Sequence, residues 1–361
     1  MEVKKSSLEN MALNKRFWKN KKVLITGHTG FKGSWMSLYL YTLGAKVYGI
    51  SLKEQNKHLL YPHLKEKNIF EKSFYNDIRD KKKINKTIKK IQPNILIHLA
   101  AQPLVLESFK NRFFNYETNI NGTINILECA LNITSLKAIF VATTDKVYKN
   151  FDKKTKIFKE NDMLGGDDPY SASKVCVEII LNSYFNSFLK FKKISLTVGR
   201  AGNIIGGGDW SENRIVPDIF RSVKSKKKIL IRNPNHIRPW QHVFEPLRGY
   251  LMAIEKNYKK NNYEVYNFGP SIKESASVKK IVKKFNRKIN FNFKELSKKS
   301  KKEKETLKLS IDKSIKFLKW RPYLNLDKTI NLTIEWYVNY LEKKNIYKKS
   351  IEQINEYDRI K

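Results

Sequence analysis

The chain has 361 residues, a formal net charge of +38 and 41% hydrophobic residues, enough apolar content to bury a sizeable core and too much for a disordered chain. No apolar run reaches the roughly 18 residues of a membrane helix, and residues 1–22 lack the apolar core of a secretory signal. The two cysteines, Cys129 and Cys176, lie far apart without a CxxC pair, which argues against a disulfide framework or zinc site and fits a reducing cytoplasm.

A charge this high raises nucleic acid or an anionic membrane as partners. Only 12 of the 72 basic residues are Arg, the residue whose planar fork grips phosphate. The excess is Lys, scattered among Asn, Ile, Phe and Tyr, as an AT-rich coding bias spread over solvated faces would leave it. Neither nucleic acid, nor a membrane, nor a bound metal is therefore expected.

Residues 23–26, 46–50, 95–98 and 138–143 read as short buried strands bounded by turn residues. Residues 35–43 and 123–131 read as helices between them. Such alternation predicts an α/β fold, a Rossmann-type doubly wound parallel sheet. A further helix is expected around Tyr170 and a strand at 194–199. Beyond Gly202 the pattern loosens into loops rich in Gly, Pro, Arg and Trp, which suits a smaller C-terminal substrate-binding lobe. The expected division is an N-terminal extension at 1–20 and a dinucleotide-binding domain at 21–200. Residues 201–345 form mainly the lobe, with some elements returning to the first domain, and 346–361 form a tail. The Lys-rich stretch 297–304 is expected on an exposed loop or helix face.

After the first strand comes Gly27-His28-Thr29-Gly30-Phe31-Lys32-Gly33. Glycines there permit a tight turn, a close approach of backbone to a pyrophosphate, and packing of helix on strand. The helix that follows offers free N–H groups and a favourable dipole to phosphate. The second strand runs into Ser51 and Lys53 rather than an acidic residue for a ribose, so that position leaves NAD and NADP open.

Tyr170 and Lys174 stand four residues apart, on one helix face. A Lys cation there is expected to lower the phenol pKa from about 10 and make Tyr170 a base for a substrate hydroxyl. Thr143-Thr144-Asp145-Lys146 follows a strand, at the carboxyl end where open sheets bind ligands. Asp145 there is read either as a cap on the next element or as an acid pointing at a bound ligand. Six of the twelve Arg residues fall between Arg200 and Arg248, as expected if a pyrophosphate is gripped there. Trp210 and Trp240 either stack on a ligand or pack the interior.

The motifs GHTGFKGSW (27–35), HLAAQPLV (98–105), TTDKVY (143–148), GGDDPYSASK (165–174), GRAGNIIGGGDW (199–210), RIVPD (214–218) and IRNPNHIRPWQHVFEPLRGYL (231–251) resemble the CDP-glucose 4,6-dehydratase family, extended short-chain dehydrogenases/reductases. The likeness runs from about residue 17 to 337. It implies NAD bound by Gly27, Thr29, Gly30, Phe31, Lys32, Gly33, Asp77, Ile78, Leu99, Ala100, Ala101, Tyr170 and Lys174. It implies Thr144, Asp145, Lys146, Tyr170 and Lys174 as catalytic, with Gln102, Asn203, Arg214, Arg232 and Arg238 on the substrate. The implied activity converts CDP-D-glucose to CDP-4-dehydro-6-deoxy-D-glucose and water, for deoxysugar and surface-polysaccharide biosynthesis, in a cytoplasmic homodimer or homotetramer.

Related UDP- or dTDP-sugar dehydratases and epimerases are the alternatives, and a basic binding protein that keeps the fold is the alternative of another class. Lys146 is read either as the base at C5 or as a charged stabiliser of the enolate. Departures from the family pattern are Leu106 in place of Arg, Phe109 in place of Tyr, and Ser310 ending Leu307-Lys308-Leu309-Ser310.

Overall fold

The structure, a computed structural model, describes residues 13–54, 59–151, 156–296 and 306–360; the Lys-rich stretch 297–304 and most of the N-terminal extension lie outside them. Seven parallel strands form the central sheet. In chain order β1 is Lys22–Thr26, β2 Lys46–Ser51, β3 Lys72–Tyr75, β4 Ile95–His98, β5 Ala138–Ala142 and β6 Ser195–Ala201, and the seventh is Tyr263–Phe268. Their spatial order is seventh-β6-β5-β4-β1-β2-β3. The order reverses between β1 and β4, which places a ligand crevice at the carboxyl ends of these two strands.

The central strands β4, β5 and β6 are buried along their whole length, whereas β3 at the sheet edge is only partly buried. Alternation then divides the core. Val23, Ile25, Ile97 and Phe140 face one apolar cluster, and Leu24, Leu96, Ile139 and Val141 the other. The helix Lys81–Ile91 buries Ile84, Ile88 and Ile91 and turns its lysines to solvent. Asp80 caps it, accepting the Lys83 N–H at 3.0 Å.

The helix expected at 35–43 begins earlier, at Phe31, directly after the glycine turn, and runs Phe31–Thr42. The chain also returns to the sheet from beyond residue 201: the Tyr263–Phe268 strand pairs with β6, and the helix Phe244–Asn257 packs on β5 and β6. Among the described residues the lobe carries three two-stranded ribbons and the helices Ile215–Ser225 and Val278–Asn286. Residues expected as a tail include the helix Ile346–Asp358, which buries Ile354 and Tyr357. Trp18 is buried, and its indole N–H donates to Glu255 at 2.5 Å, so residues before β1 are packed into the fold. No helix of the described residues is long and apolar enough to cross a membrane, and among them no cluster of His, Cys, Asp or Glu could hold a metal ion. Both cysteines are free thiols.

Candidate active site

The glycine turn is closed by backbone bonds from Gly27 N–H to Ile50 O at 2.7 Å and Gly30 N–H to Gly27 O at 3.1 Å. Gly27 has φ +78°, and a Cβ there would meet Ala100 N at 2.8 Å. A Cβ on Gly33 would sit 2.0 Å from Gly27 O. At Gly27 and Gly33 the turn is therefore closed to side chains by its own backbone, which holds it tight against β4 and the following helix. Thr29 bonds Ser51 across the top of β2 at 2.8 Å. Leu99 and Ala100 donate their N–H groups to the carbonyl and hydroxyl of Thr26 at 3.1 and 3.3 Å, so the β4 loop lies against the turn. Ala101 continues that loop. Asp77 is held by Arg79, with contacts of 2.7 to 3.1 Å, and Arg79 also reaches Glu117 at 2.6 Å. That guanidinium keeps the Asp77 carboxyl below the usual range. Ile78 is buried against Gly122.

Beside the cradle lies a cavity of about 350 Å³, within the size range of small-molecule sites. Its walls come from the loops after β1, β4, β5 and β6 and from the lobe. Phe31 and Lys32, expected at the cofactor, line it, as do Thr144, Asp145, Lys146, Tyr170, Asn203, Arg214, Arg232 and Arg238. Gln102 does not line it. Its amide donates to Leu104 O at 3.1 Å and accepts the Leu104 N–H at 2.5 Å, so the side chain closes its own loop.

Asp168 caps the helix Pro169–Tyr184 through the Ser171 N–H at 2.9 Å and starts the turn that presents Tyr170. Burial pushes the Tyr170 phenol up to about 12, while a hydrogen bond with Thr144 and the charge of Arg214 pull the other way. The expected lowering by Lys174 does not hold, because desolvation outweighs every neighbouring charge. Lys174 is itself brought down to about 7 by burial and by Lys32, against the opposing pull of Glu178.

Asp145 is 3% exposed, and burial raises its carboxyl although Lys146 and Arg238 oppose this. Its Oδ1 accepts the Thr144 hydroxyl at 3.1 Å, and its Oδ2 is buried without a hydrogen-bond partner. A buried carboxyl with a raised pKa at the wall of a substrate-sized cavity is suited to carry and deliver a proton.

The Arg cluster divides in two. Arg214, held by Asp209 at 3.1 Å, Arg232 and Arg238 line the cavity. Arg200, Arg221 and Arg248 bind Glu178, Asp218 and the Tyr357 hydroxyl and do not line the cavity. Trp210 packs edge-on to Tyr337, with ring centroids 5.2 Å apart, and lies outside the cavity wall. Trp240 lines the cavity while its N–H donates to Ala276 O at 2.9 Å. The ion pair of Glu178 with Arg200 was not expected; the recurrence of Glu178 four residues after Lys174 was its only signal in the sequence.

A parallel sheet of this order, a glycine cradle at its switch point and a Tyr/Lys helix beside a substrate cavity define a Rossmann-type enzyme of the epimerase and dehydratase class. The chain belongs to the GDP-mannose 4,6 dehydratase family, which matches residues 24–333. It is 36% identical over 354 residues to the CDP-glucose 4,6-dehydratase of Salmonella typhimurium, covering 96% of this chain and 98% of that one. Among solved structures, the UDP-glucose-4-epimerase of Stenotrophomonas maltophila with bound NAD has a TM-score of 0.79 at 16% identity, covering 90% and 100% of the two chains. A dTDP-glucose 4,6-dehydratase from Streptomyces venezuelae, also with NAD bound, has a TM-score of 0.78 at 18% identity, covering 90% and 99%.

Proposed function

We propose that this chain is a nucleotide-sugar 4,6-dehydratase that converts CDP-D-glucose to CDP-4-dehydro-6-deoxy-D-glucose and water. The observation that carries the reading is Asp145. An epimerase needs a base and a hydride carrier, whereas loss of the C6 hydroxyl also needs an acid. Asp145 is a buried carboxyl with a raised pKa at the wall of the cavity that Tyr170 also lines. The near-full-length relative named CDP-glucose 4,6-dehydratase supports the nucleobase.

The cradle at Gly27, Thr29, Gly30 and Gly33, with Asp77, Ile78, Leu99, Ala100, Ala101 and Lys174, fits NAD, which supplies reversible hydride storage between C4 and C6. Arg79 is committed to Asp77 and Glu117, so its charge is compensated rather than offered to a 2′-phosphate; this favours NAD over NADP. In its phenolate form, which Thr144 and the charge of Arg214 favour against burial, Tyr170 takes the proton of the sugar 4-hydroxyl as C4 is oxidised, and Thr144 hydrogen-bonds the same oxygen. Lys174 holds the nicotinamide ribose. The C4 ketone acidifies the C5 hydrogen, and Lys146 is the residue beside the acid that acts there. Asp145 protonates the departing C6 hydroxyl, water leaves, and C6 is reduced. Oxidation at C4 and reduction at C6 cancel, so no oxidant is consumed. Arg214, Arg232 and Arg238, with Asn203, hold the diphosphate and sugar.

In this reading residues 21–200 hold the cofactor, 201–345 mainly the substrate, and the enzyme is a cytoplasmic homodimer or homotetramer. Purified enzyme incubated separately with CDP-, dTDP-, UDP- and GDP-glucose, with 4-keto sugar followed by its alkaline absorbance, tests reaction and nucleotide together. The expected result is product from CDP-glucose first. An epimeric hexose without 4-keto sugar would sink the dehydratase reading.

A further inference from the structure

We infer that Glu178 and Arg200 are positioning residues for the dehydration half of the reaction, stapling both ends of the turn that carries Asp145 to the helix that carries Tyr170 and Lys174. The inference rests on the reading of Asp145 given above.

Glu178 follows Lys174 by four residues and Tyr170 by eight, so the three lie along one side of the helix Pro169–Tyr184. Its carboxylate accepts the Thr143 hydroxyl at 2.6 Å and Arg200 Nε at 2.9 and 3.0 Å. Thr143 immediately precedes Thr144 and Asp145, and its own N–H donates to Gly199 O at 2.9 Å. On the far side of the turn, Arg200 Nη1 donates to the Tyr148 hydroxyl at 2.9 Å and to Glu160 O at 2.8 Å. Tyr148 directly follows the 3-10 turn Asp145–Val147. One ion pair thus anchors the turn in front and behind. Tyr148 donates onward to Asn267 Oδ1 at 2.6 Å, and Asn267 Nδ2 donates to Phe158 O and Ser310 O at 3.1 Å each. The clamp therefore reaches the chain that returns from the lobe.

Both ions are buried, with 4% and 2% of their side chains exposed. Desolvation makes such a pair a weak source of stability, since well-packed apolar residues serve as well. What it supplies is a fixed geometry, because the guanidinium fork admits few arrangements. The Tyr170 end of the helix has other anchors: Asp168 caps it, Asn115 Nδ2 donates to Pro169 O at 2.9 Å, and Asn119 Nδ2 donates to Ser173 Oγ at 2.9 Å. Loosening the clamp then displaces Asp145 while Tyr170 stays in place.

The test uses full-length enzyme with CDP-glucose and follows reduced nicotinamide in a single turnover beside 4-keto sugar formation. For Glu178→Gln, dehydration is expected to fall about a hundredfold, the order of loss that a misplacement near 1 Å causes. C4 oxidation should fall far less than dehydration, through the neighbouring Thr144 and Lys174, and KM should stay close to wild type, so reduced cofactor accumulates. Its pH profile should also move, because Glu178 raises the Lys174 pKa and its charge is gone; the alkaline limb shifts to lower pH. Thr143→Val should show a smaller loss of the same kind, and Thr143→Ser should restore it. That pair keeps the question open to test where Glu178→Gln fails to fold. An active wild type with both steps falling together in the variants, or with neither falling, overturns the clamp alone. A wild type that yields no 4-keto sugar from any nucleotide-glucose removes the role of Asp145, and the inference with it.

Discussion

After burial, the charge of Lys32 is the largest influence on Lys174, and together they bring the Lys174 ammonium down to about 7. Lys32 is itself brought to about 8 by burial and then by Arg214, with Asp145 opposing. Two cations in one buried site make the protonation of Lys174 sensitive near neutral pH. A group with a lowered pKa holds its charge only below that value. Lys32→Met removes the like charge, so Lys174 should stay cationic to higher pH, and the alkaline limb of kcat/KM should move upward. A pH profile with that limb unmoved would show that Lys174 is not the group being titrated.

Asp145 differs from an exposed carboxyl in the opposite sense. Burial raises its pKa, so it keeps a proton at pH values where an exposed aspartate has lost it. Dehydration should therefore weaken as pH rises through that pKa. Asp145→Asn keeps the shape and removes the acid. It should cut dehydration by about 100- to 10,000-fold, the usual worth of general acid catalysis. C4 oxidation, read as reduced nicotinamide, should remain detectable. Equal loss of both steps would mean that Asp145 is structural.

The parts of the site legible in the sequence are those fixed by local geometry. A turn closed to Cβ atoms demands glycine at Gly27 and Gly33, and a helix face demands the spacing of Tyr170 and Lys174. Asp145 was legible from its place after a buried strand. What escaped depends on partners distant in sequence. Arg200, Arg221 and Arg248 looked like Arg214 and Arg238, because nothing local tells a guanidinium that will meet Glu178 from one that will face a cavity. Trp210 could not be assigned without Tyr337, far along the chain. The raised phenol of Tyr170 reflects burial by the loops and lobe around it, which the YxxxK spacing cannot contain. The Tyr263–Phe268 strand escaped because its first half is only partly buried and carries Glu264.

Lys146 is the next residue after the acid, and C5 is the carbon next to C6. Adjacent residues on one short turn suit adjacent atoms of the hexose. Lys146 lines the cavity beside Asp145. Of the other carboxylates of the cavity wall, Asp209 and Asp218 are committed to Arg214 and Arg221, and Glu107 accepts from Asn111, while Glu212 is the rival base that the variant Glu212→Gln would test beside Lys146. Lys146→Ala should therefore abolish exchange of the C5 hydrogen with deuterated solvent while leaving C4 oxidation measurable. Exchange retained at near wild-type rate would assign Lys146 to enolate stabilisation instead.

The glycines of the cradle should not respond alike to alanine. At Gly33 a Cβ would lie 2.0 Å from Gly27 O and 2.7 Å from the His28 Cα, both backbone atoms that cannot swing aside. At Gly30 the nearest atom would be Gly27 O at 3.5 Å, an ordinary contact, with φ at −80°. Gly33→Ala should cost roughly 1–3 kcal/mol, as overpacking does, and lower Tm with or without NAD. Gly30→Ala should leave Tm of the unliganded protein near wild type and weaken only NAD binding, because its backbone faces the pyrophosphate in the proposed mode. Thermal unfolding with and without NAD separates the two. If both variants lost stability equally without NAD, the turn would be intolerant for reasons other than these contacts.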